Sequence, residues 1–306
     1  MVGQHDVLPP AELSSDTNQV FRFESEILPR GLQTARWERR HAFDSTCQYN
    51  ARMNWIGLYT MFRREVQRTL RVVVQTLIAP VVSAALYLFI FGTVIGSRIE
   101  DFADGVSYIN FVFPGVLMLS IINASFSSAS SALYFMRFTK GVEELLIAPF
   151  SYFELLLGFV GSAITRALMV AFLILAVGWL FGAVVVVTVP LFVFYIASIA
   201  AIFAMLGIIV ALWAESFEQL TVLNTFVITP LTYLGGIFYS ITFLPEPAAT
   251  ITRFNPFFYF ADGVRSSMIG YSEANSLVGL LIITGLVLGL GIVVTQLFKR
   301  GWKIRS

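Results

Sequence analysis

Six apolar runs of about twenty residues each dominate the sequence after residue 71, near 72–96, 109–133, 155–180, 189–213, 220–240 and 277–298. A helix of about 20 apolar residues crosses the hydrocarbon core and satisfies its backbone hydrogen bonds internally. None of the runs alternates as a barrel strand does. The chain is therefore predicted to be an all-α membrane protein with six transmembrane helices. Its residues are 57% hydrophobic and 13% charged, against about 25% charged in soluble domains.

Several chemistries are disfavoured at once. Cys47, His5 and His41 all lie in the first 52 residues. The apolar part therefore has no ligands for haem, zinc or thiol chemistry, and no metal site is expected. Three lysines occur, Lys140, Lys299 and Lys303, none in a phosphate-binding G-x-x-x-x-G-K-[ST] loop. ATP hydrolysis and catalytic residues are not expected on this chain, nor is a nucleic-acid partner. Residues 1–52 hold six arginines, seven acids and Pro9-Pro10 without an apolar run. They read as a polar, disordered tail rather than a signal peptide, and residues 53–306 as the membrane domain.

Lysine and arginine set the orientation. With the N-terminus inside, the cytoplasmic flanks collect Arg63, Arg64, Arg68, Arg71, Arg137, Lys140, Lys299, Arg300, Lys303 and Arg305. The outer side has Arg98, Arg253 and Arg265. Six crossings then place both termini in the cytoplasm. Ahead of the first crossing, Trp55, Leu58, Tyr59, Phe62, Val66 and Leu70 recur at helical spacing, while Arg63, Arg64 and Arg68 occupy other faces. This pattern predicts an amphipathic helix at the inner lipid interface. The plainer alternative is a cytoplasmic extension of the first crossing.

Two crossings carry polar stripes. Ser120, Asn123, Ser127 and Ser131 repeat along the second, and Thr221, Thr225, Thr229 and Thr232 along the fifth, whose lipid face would hold Val222, Phe226, Leu234 and Ile237. Such stripes either pack helices closely or line a polar pathway. Arg166 is the basic residue inside a crossing, about 16 Å from its start. It either snorkels inward, forms a structural ion pair or meets a polar substrate.

The loops add further candidates. The loop after the second crossing combines Arg137, Lys140, Glu143 and Glu144 with Leu145 and Leu146, and ends at Pro149. A short amphipathic helix there suits either docking to a soluble partner or packing on its own protein. Beyond the fifth crossing, Asn255 is a good N-cap, Pro256 a good first helical residue and Gly270 a good C-cap. The segment between is too short to span, as is the piece opened by Pro245 and Pro247. Paired outer re-entrant helices are therefore expected between crossings five and six. Pro230, Gly235 and Gly236 weaken the fifth crossing just before them, which marks a hinge or a close approach.

The stretches "QTLIAPVV", "FGTVIGSRI", "FVFPGVLMLSII", "VEELLIAPFS", "TPLTYLGGIFYS" and "NPFFYFADGVR" carry a family resemblance. From Met53 onward the chain resembles an ABC-2 type permease of bacterial ABC exporters, within the stand-alone inner-membrane transport permease subgroup. The resemblance implies six crossings, a homodimer in the bacterial cytoplasmic membrane, and two copies of a separate ATPase subunit carrying MgATP. It implies that Arg137–Pro149 couples to that ATPase and that Asn54–Arg71 joins the same interface. It implies that Leu244–Gly270, with Asn255, Pro256, Tyr259 and Arg265, helps close an outer exit. The cargo implied is a glycan, lipid, drug or other amphiphile. From the residues alone, an ion-coupled secondary transporter or a non-transporting membrane scaffold stays open. Ion coupling would need ionisable groups at mid-membrane, and Arg166 is the clear instance there.

Overall fold

The computed structural model describes residues 54–98, 106–139, 141 and 151–300. They are helical apart from connecting turns and an isolated bridge residue, Val106. Helix α1 (Trp55–Arg71) leads into α2 (Val74–Ile95). Then come α3 (Tyr108–Phe138), α4 (Tyr152–Leu180) and α5 (Val189–Trp213). A composite helix, α6, covers 217–233. Two short helices, α7 (Glu246–Phe254) and α8 (Pro256–Ile269), precede the last, α9 (Ser276–Arg300). Helices α2, α3, α4, α5 and α9 are each long and apolar enough to cross a membrane.

Helix α3 is the core of the bundle. Its most apolar window is 78% buried, against 11% for α2 and 17% for α9. Phe111, Val116, Leu117, Met118, Ile121 and Ile122 are all fully enclosed. They meet a still more apolar α5, where Tyr195, Ile199, Phe203 and Ile208 are buried.

Polar contacts sort the helix ends into two groups. At the α1 end, the Glu154 carboxylate accepts from the backbone N–H of Asn54 at 2.6 Å and of Ser151 at 2.7 Å. The Arg137 guanidinium donates to the carbonyls of Ala211, Leu212 and Ala214, where α5 ends. The Tyr134 hydroxyl donates to the carbonyl of Glu215 at 3.1 Å. At the α8 end, Tyr108 donates to the carbonyl of Phe238 at 3.1 Å. There also, Val187 and Thr188 donate to the carbonyls of Met268 and Ser267, each at 3.0 Å.

Helix α1 is separated from α2 by a bend at Val72, whose φ and ψ are −118° and 42°. The Thr76 hydroxyl lies 3.0 Å from the carbonyls of both Thr69 and Val72, and so ties the end of α1 to the start of α2 across the bend. The buried face of α1 holds Met61, Glu65 and Thr69, while Trp55, Ile56 and Tyr59 stand exposed. Helix α1 runs along α4, with Met61 seated where Gly158 has no side chain.

The expected helix over 220–240 takes a different form. Helix α6 stops at Tyr233 after 17 residues, or about 25 Å. Its middle, Asn224–Ile228, is a π-turn, and Pro230 lies two residues later. Proline has no N–H and crowds the preceding turn, and the widened turn relieves that crowding. Helix α2 uses the same arrangement, with a π-turn over Val74–Ile78 ahead of Pro80. From Leu234 the chain continues in turns. Ile237, expected on the lipid face, is fully buried and sits against Gly115. With no helix there, helical spacing no longer sets the direction of the side chain.

Glu154 joins the start of α1 to the start of α4. It completes a capping box with Ser151 while holding Asn54, and is 5% exposed. Glu154→Ala leaves both N–H groups unpaired and should destabilise the protein by about 1–3 kcal/mol. Limited proteolysis should then cut near residue 54 faster than in the parent, and an unchanged cutting rate would show that α1 is held by its apolar contacts alone.

Candidate functional site

A polar seam runs where α3 meets α6. The Asn224 amide donates to the side-chain oxygen of Asn123 at 2.9 Å, and the Asn123 amide donates to the carbonyl of Leu119 at 2.9 Å. Ser120 donates to the carbonyl of Val116 at 3.0 Å, and Ser131 to that of Ser127 at 2.6 Å. On α6 the hydroxyl of Thr229 donates to the carbonyl of Asn224 at 2.8 Å, and that of Thr232 to Ile228 at 2.6 Å. The hydroxyl protons are satisfied within their own helices, so the seam tolerates an apolar setting and still offers oxygen lone pairs. The side-chain oxygen of Asn224 is buried and accepts no hydrogen bond among the described residues.

Exposure shows which way the seam faces. On α3, Ser120, Asn123 and Ser131 are half-buried and Ser127 is exposed, while their neighbours are almost all buried. Along the middle of the most enclosed helix, the uncovered face is thus its polar one. Thr225 beside it is exposed and Thr229 half-buried, whereas Thr232 is fully buried. At the α8 end, the Tyr87 and Tyr233 hydroxyls meet at 3.3 Å, and Phe91 stacks on Phe238 with centroids 4.5 Å apart. This aromatic group links α2 to α6 beyond the seam.

A second polar cluster closes the α8 end. Arg265 of α8 is 1% exposed. Its Nη2 donates to the carbonyl of Gly236 at 2.7 Å and its Nε to that of Phe111 at 3.4 Å. Its guanidinium lies 3.7 Å over the Phe111 ring, and its Nη1 is 3.6 Å from the Glu273 carboxylate. Glu273 also accepts from the hydroxyls of Ser240 and Tyr271 and from the N–H of Ile241. Asp262, one turn before Arg265, accepts from the Ser272 hydroxyl and the N–H of Glu273, both at 2.7 Å, and from the N–H of Ala274 at 3.3 Å. One cluster thus holds α3, α8, the turn after α6 and the loop before α9.

Asn255 and the two glycines extend this closure. The Asn255 side chain caps α8 by accepting from the N–H of Phe257 at 3.1 Å. Its amide donates to the carbonyl of Leu231 at 2.7 Å, one residue past Pro230. A side chain at Gly235 would lie 3.0 Å from the Phe257 carbonyl carbon, so the two backbones approach closely here. Gly236 has a φ of 77°, which glycine adopts without strain. Tyr259 of α8 packs beside Gly279 of α9. Pro256 opens α8, and Gly270, with a φ of 73°, ends it.

At the α1 end, Arg68 pairs with Glu65 at 2.9 Å and donates to the carbonyl of Ser128 at 3.1 Å. Arg64 lies 3.7 Å from Glu65, Arg63 is exposed and Phe62 is half-buried. Arg166 forms no ion pair among the described residues, and its Nε is buried without a hydrogen bond. Of the residues expected to couple to an ATPase only Arg137 is described; Lys140, Glu143, Glu144, Leu145, Leu146 and Pro149 fall outside the described residues.

The model of the ABC-2 type transporter family matches residues 57–269. The chain is 32% identical over 252 residues to inner membrane transport permease YadH of Escherichia coli (strain K12), covering 82% of this chain and 98% of that one. The chain belongs to the ABC-2 type transporter family. It is also 28% identical over 218 residues to nodulation protein J of Rhizobium meliloti (strain 1021), covering 71% of this chain and 82% of that one. Nodulation protein J of Rhizobium leguminosarum bv. viciae matches at 25% over 228 residues, 73% of this chain and 85% of that one. The family match ends at the last residue of α8. It takes in the seam and most of the closing cluster of this ABC-2 permease, whereas Glu273 and α9 lie beyond it.

Sequence reasoning singled out Arg265, Asn255 and the stripe residues, but not Asn224, Asp262, Glu273 or Glu154 as site residues.

Proposed function

We propose that the chain is the membrane subunit of an ATP-driven exporter of amphiphilic cargo in the bacterial inner membrane. The observation that carries this reading is the α3–α6 seam. Along its middle, the buried helix α3 leaves its polar stripe uncovered, joins it to a helix widened at Asn224–Ile228, and is closed at one end by the Arg265 cluster. Cargo with hydroxyl groups beside an apolar portion fits oxygen lone pairs flanked by Phe226 and Val227, which are 73% and 43% exposed. A second copy of the chain would complete the far wall of the pathway.

Six crossings fit the arrangement of ends. The chain enters α6 at the α1 end and must reach the α8 end to begin α9. A 17-residue helix and then the buried turn at 234–240 make that passage. Helices α7 and α8 then act as re-entrant elements at the outer face. Irregular backbone at that depth is supported by protein contacts, such as those of Arg265 with Gly236. The bias in lysine and arginine puts the α1 end and both termini in the cytoplasm. The chain itself needs no cofactor; MgATP sits on two copies of a partner ATPase docked at the α1 end. Arg137 fixes the end of α3 to α5 there and so sets the base of the coupling loop.

Arg166 fits the snorkelling alternative. Helix α4 is 29 residues, about 44 Å, longer than the roughly 30 Å core. If residues 161–180 cross the core, Arg166 lies about 8 Å inside the boundary, within side-chain reach of the interface. The acids at the two ends of the bundle, Glu65 and Glu154 on one side and Asp262 and Glu273 on the other, leave nucleotide rather than an ion gradient as the favoured drive.

The test is reconstitution with the candidate ATPase. Cargo-stimulated ATP hydrolysis is expected from the pair, and Asn224→Leu should reduce the stimulation about tenfold by breaking the hydrogen bond to Asn123 that joins the two sides of the seam. Transport driven by a proton gradient without nucleotide would sink the proposal.

A further inference from the structure

Helix α9 stands off from α4 and α5 toward the α1 end, leaving an apolar groove of about 600 Å³. Phe153, Leu156 and Val160 of α4 form one wall, and Met205 of α5 forms part of the floor. Gly291 of α9 adds no side chain to the groove. A methyl group there would meet only the Met205 sulfur, at 3.9 Å. Leu288 and Ile292 on the α9 wall are 62% and 59% exposed, so the groove opens sideways rather than into the bundle.

Its dimensions and charge point to one kind of occupant. The α9 wall runs from Val287 to Lys299, about 18 Å. One leaflet contributes about 15 Å of hydrocarbon. The groove therefore matches the depth of a single leaflet. Lys299 is the charged residue of the lining, stands at its α1-end mouth and is exposed. No carboxylate pairs with it among the described residues. Arg300 is next in the chain. Basic mouths between transmembrane helices at the cytoplasmic surface favour anionic head groups.

We propose that this groove binds an anionic phospholipid of the cytoplasmic leaflet, with one acyl chain against Gly291 and the phosphate on Lys299. The groove shares no residue with the α3–α6 seam. It is a lipid site in addition to any cargo pathway, and it rests on the proposed function only for the orientation that makes the α1 end cytoplasmic.

The experiment uses the full-length chain in mild detergent, supplied with equal amounts of dioleoyl phosphatidylglycerol and dioleoyl phosphatidylcholine. Native mass spectrometry should show one retained phospholipid, with about a fivefold preference for phosphatidylglycerol. Lys299→Gln should bring the preference close to one. Phosphatidylglycerol carrying a photoactivatable group in its acyl chain should label residues 287–299, and Gly291→Leu should abolish that labelling. Lys299 is exposed, so its variant remains informative if Gly291→Leu does not fold. Equal retention of the two lipids by the parent would overturn the proposal, as would a preference that survives Lys299→Gln. Labelling elsewhere, or a dimer that excludes lipid from the groove, would overturn it too.

Discussion

Arg265→Ala is expected to destabilise the protein by about 3–5 kcal/mol, the cost of removing one partner from a buried ion pair. Glu273 would lose its cation while its other hydrogen bonds kept it enclosed. The carbonyls of Phe111 and Gly236 would lose a donor, and the Phe111 ring its overlying guanidinium. Asp262 is held by three donors of its own, so the damage should stay centred on Glu273. Arg265→Lys restores charge but not the planar fork that reaches two carbonyls, and should recover only part of the loss. Pairing Arg265→Met with Glu273→Gln should cost less than the two single changes added together, because no charge is then stranded. Thermal unfolding in detergent micelles reads all of these variants. A midpoint for Arg265→Ala equal to that of the parent would mean the cluster does not hold the α8 end closed.

That cluster also shows where sequence reading stops. The five long helices follow from hydropathy alone, and the ends of α8 follow from Asn255, Pro256 and Gly270, because caps act within a few residues. From the residues alone Arg265 reads as one of three outer basic residues, and only the family resemblance adds it to an outer exit. Its partners come from α3, from the turn after α6 and from the loop before α9, and nothing local announces that they converge. Asn224 was hidden for another reason. The stripe Thr221, Thr225, Thr229 and Thr232 assumes 3.6 residues per turn throughout, but the π-turn at Asn224–Ile228 adds a residue and rotates the rest of the helix. Thr225 therefore faces out while Thr232 is buried. Asn224, outside the predicted stripe, instead faces Asn123. The proline signalled a disturbance; the rotation it brings is set by packing.

Gly207→Val should be the most damaging change on the α3–α5 contact. A methyl group at Gly207 would lie 2.6 Å from the Phe126 carbonyl oxygen and 3.1 Å from the Ser130 nitrogen. Both are backbone atoms of a buried helix, so neither can swing aside as the end of a flexible side chain could. Two helices meeting at a small residue gain their close packing from its absence of bulk, which in a bilayer replaces the missing hydrophobic drive between helices. Gly207→Ala should cost about 1–3 kcal/mol through overpacking, and valine more, by forcing α3 and α5 apart. Gly161→Ala is the matching control, since that glycine has nothing within 4 Å of the added methyl and should gain slightly in helix propensity. The effect should reach function as well as stability. Ser127 and Ser131 flank Phe126 and Ser130 on the same helix, so moving α3 off α5 displaces the polar seam toward α6. A Gly207→Ala protein that unfolds with the midpoint of Gly161→Ala would show that the helices part freely. The seam would then not be held in place from behind, and its alignment with Asn224 would have to come from α6 alone.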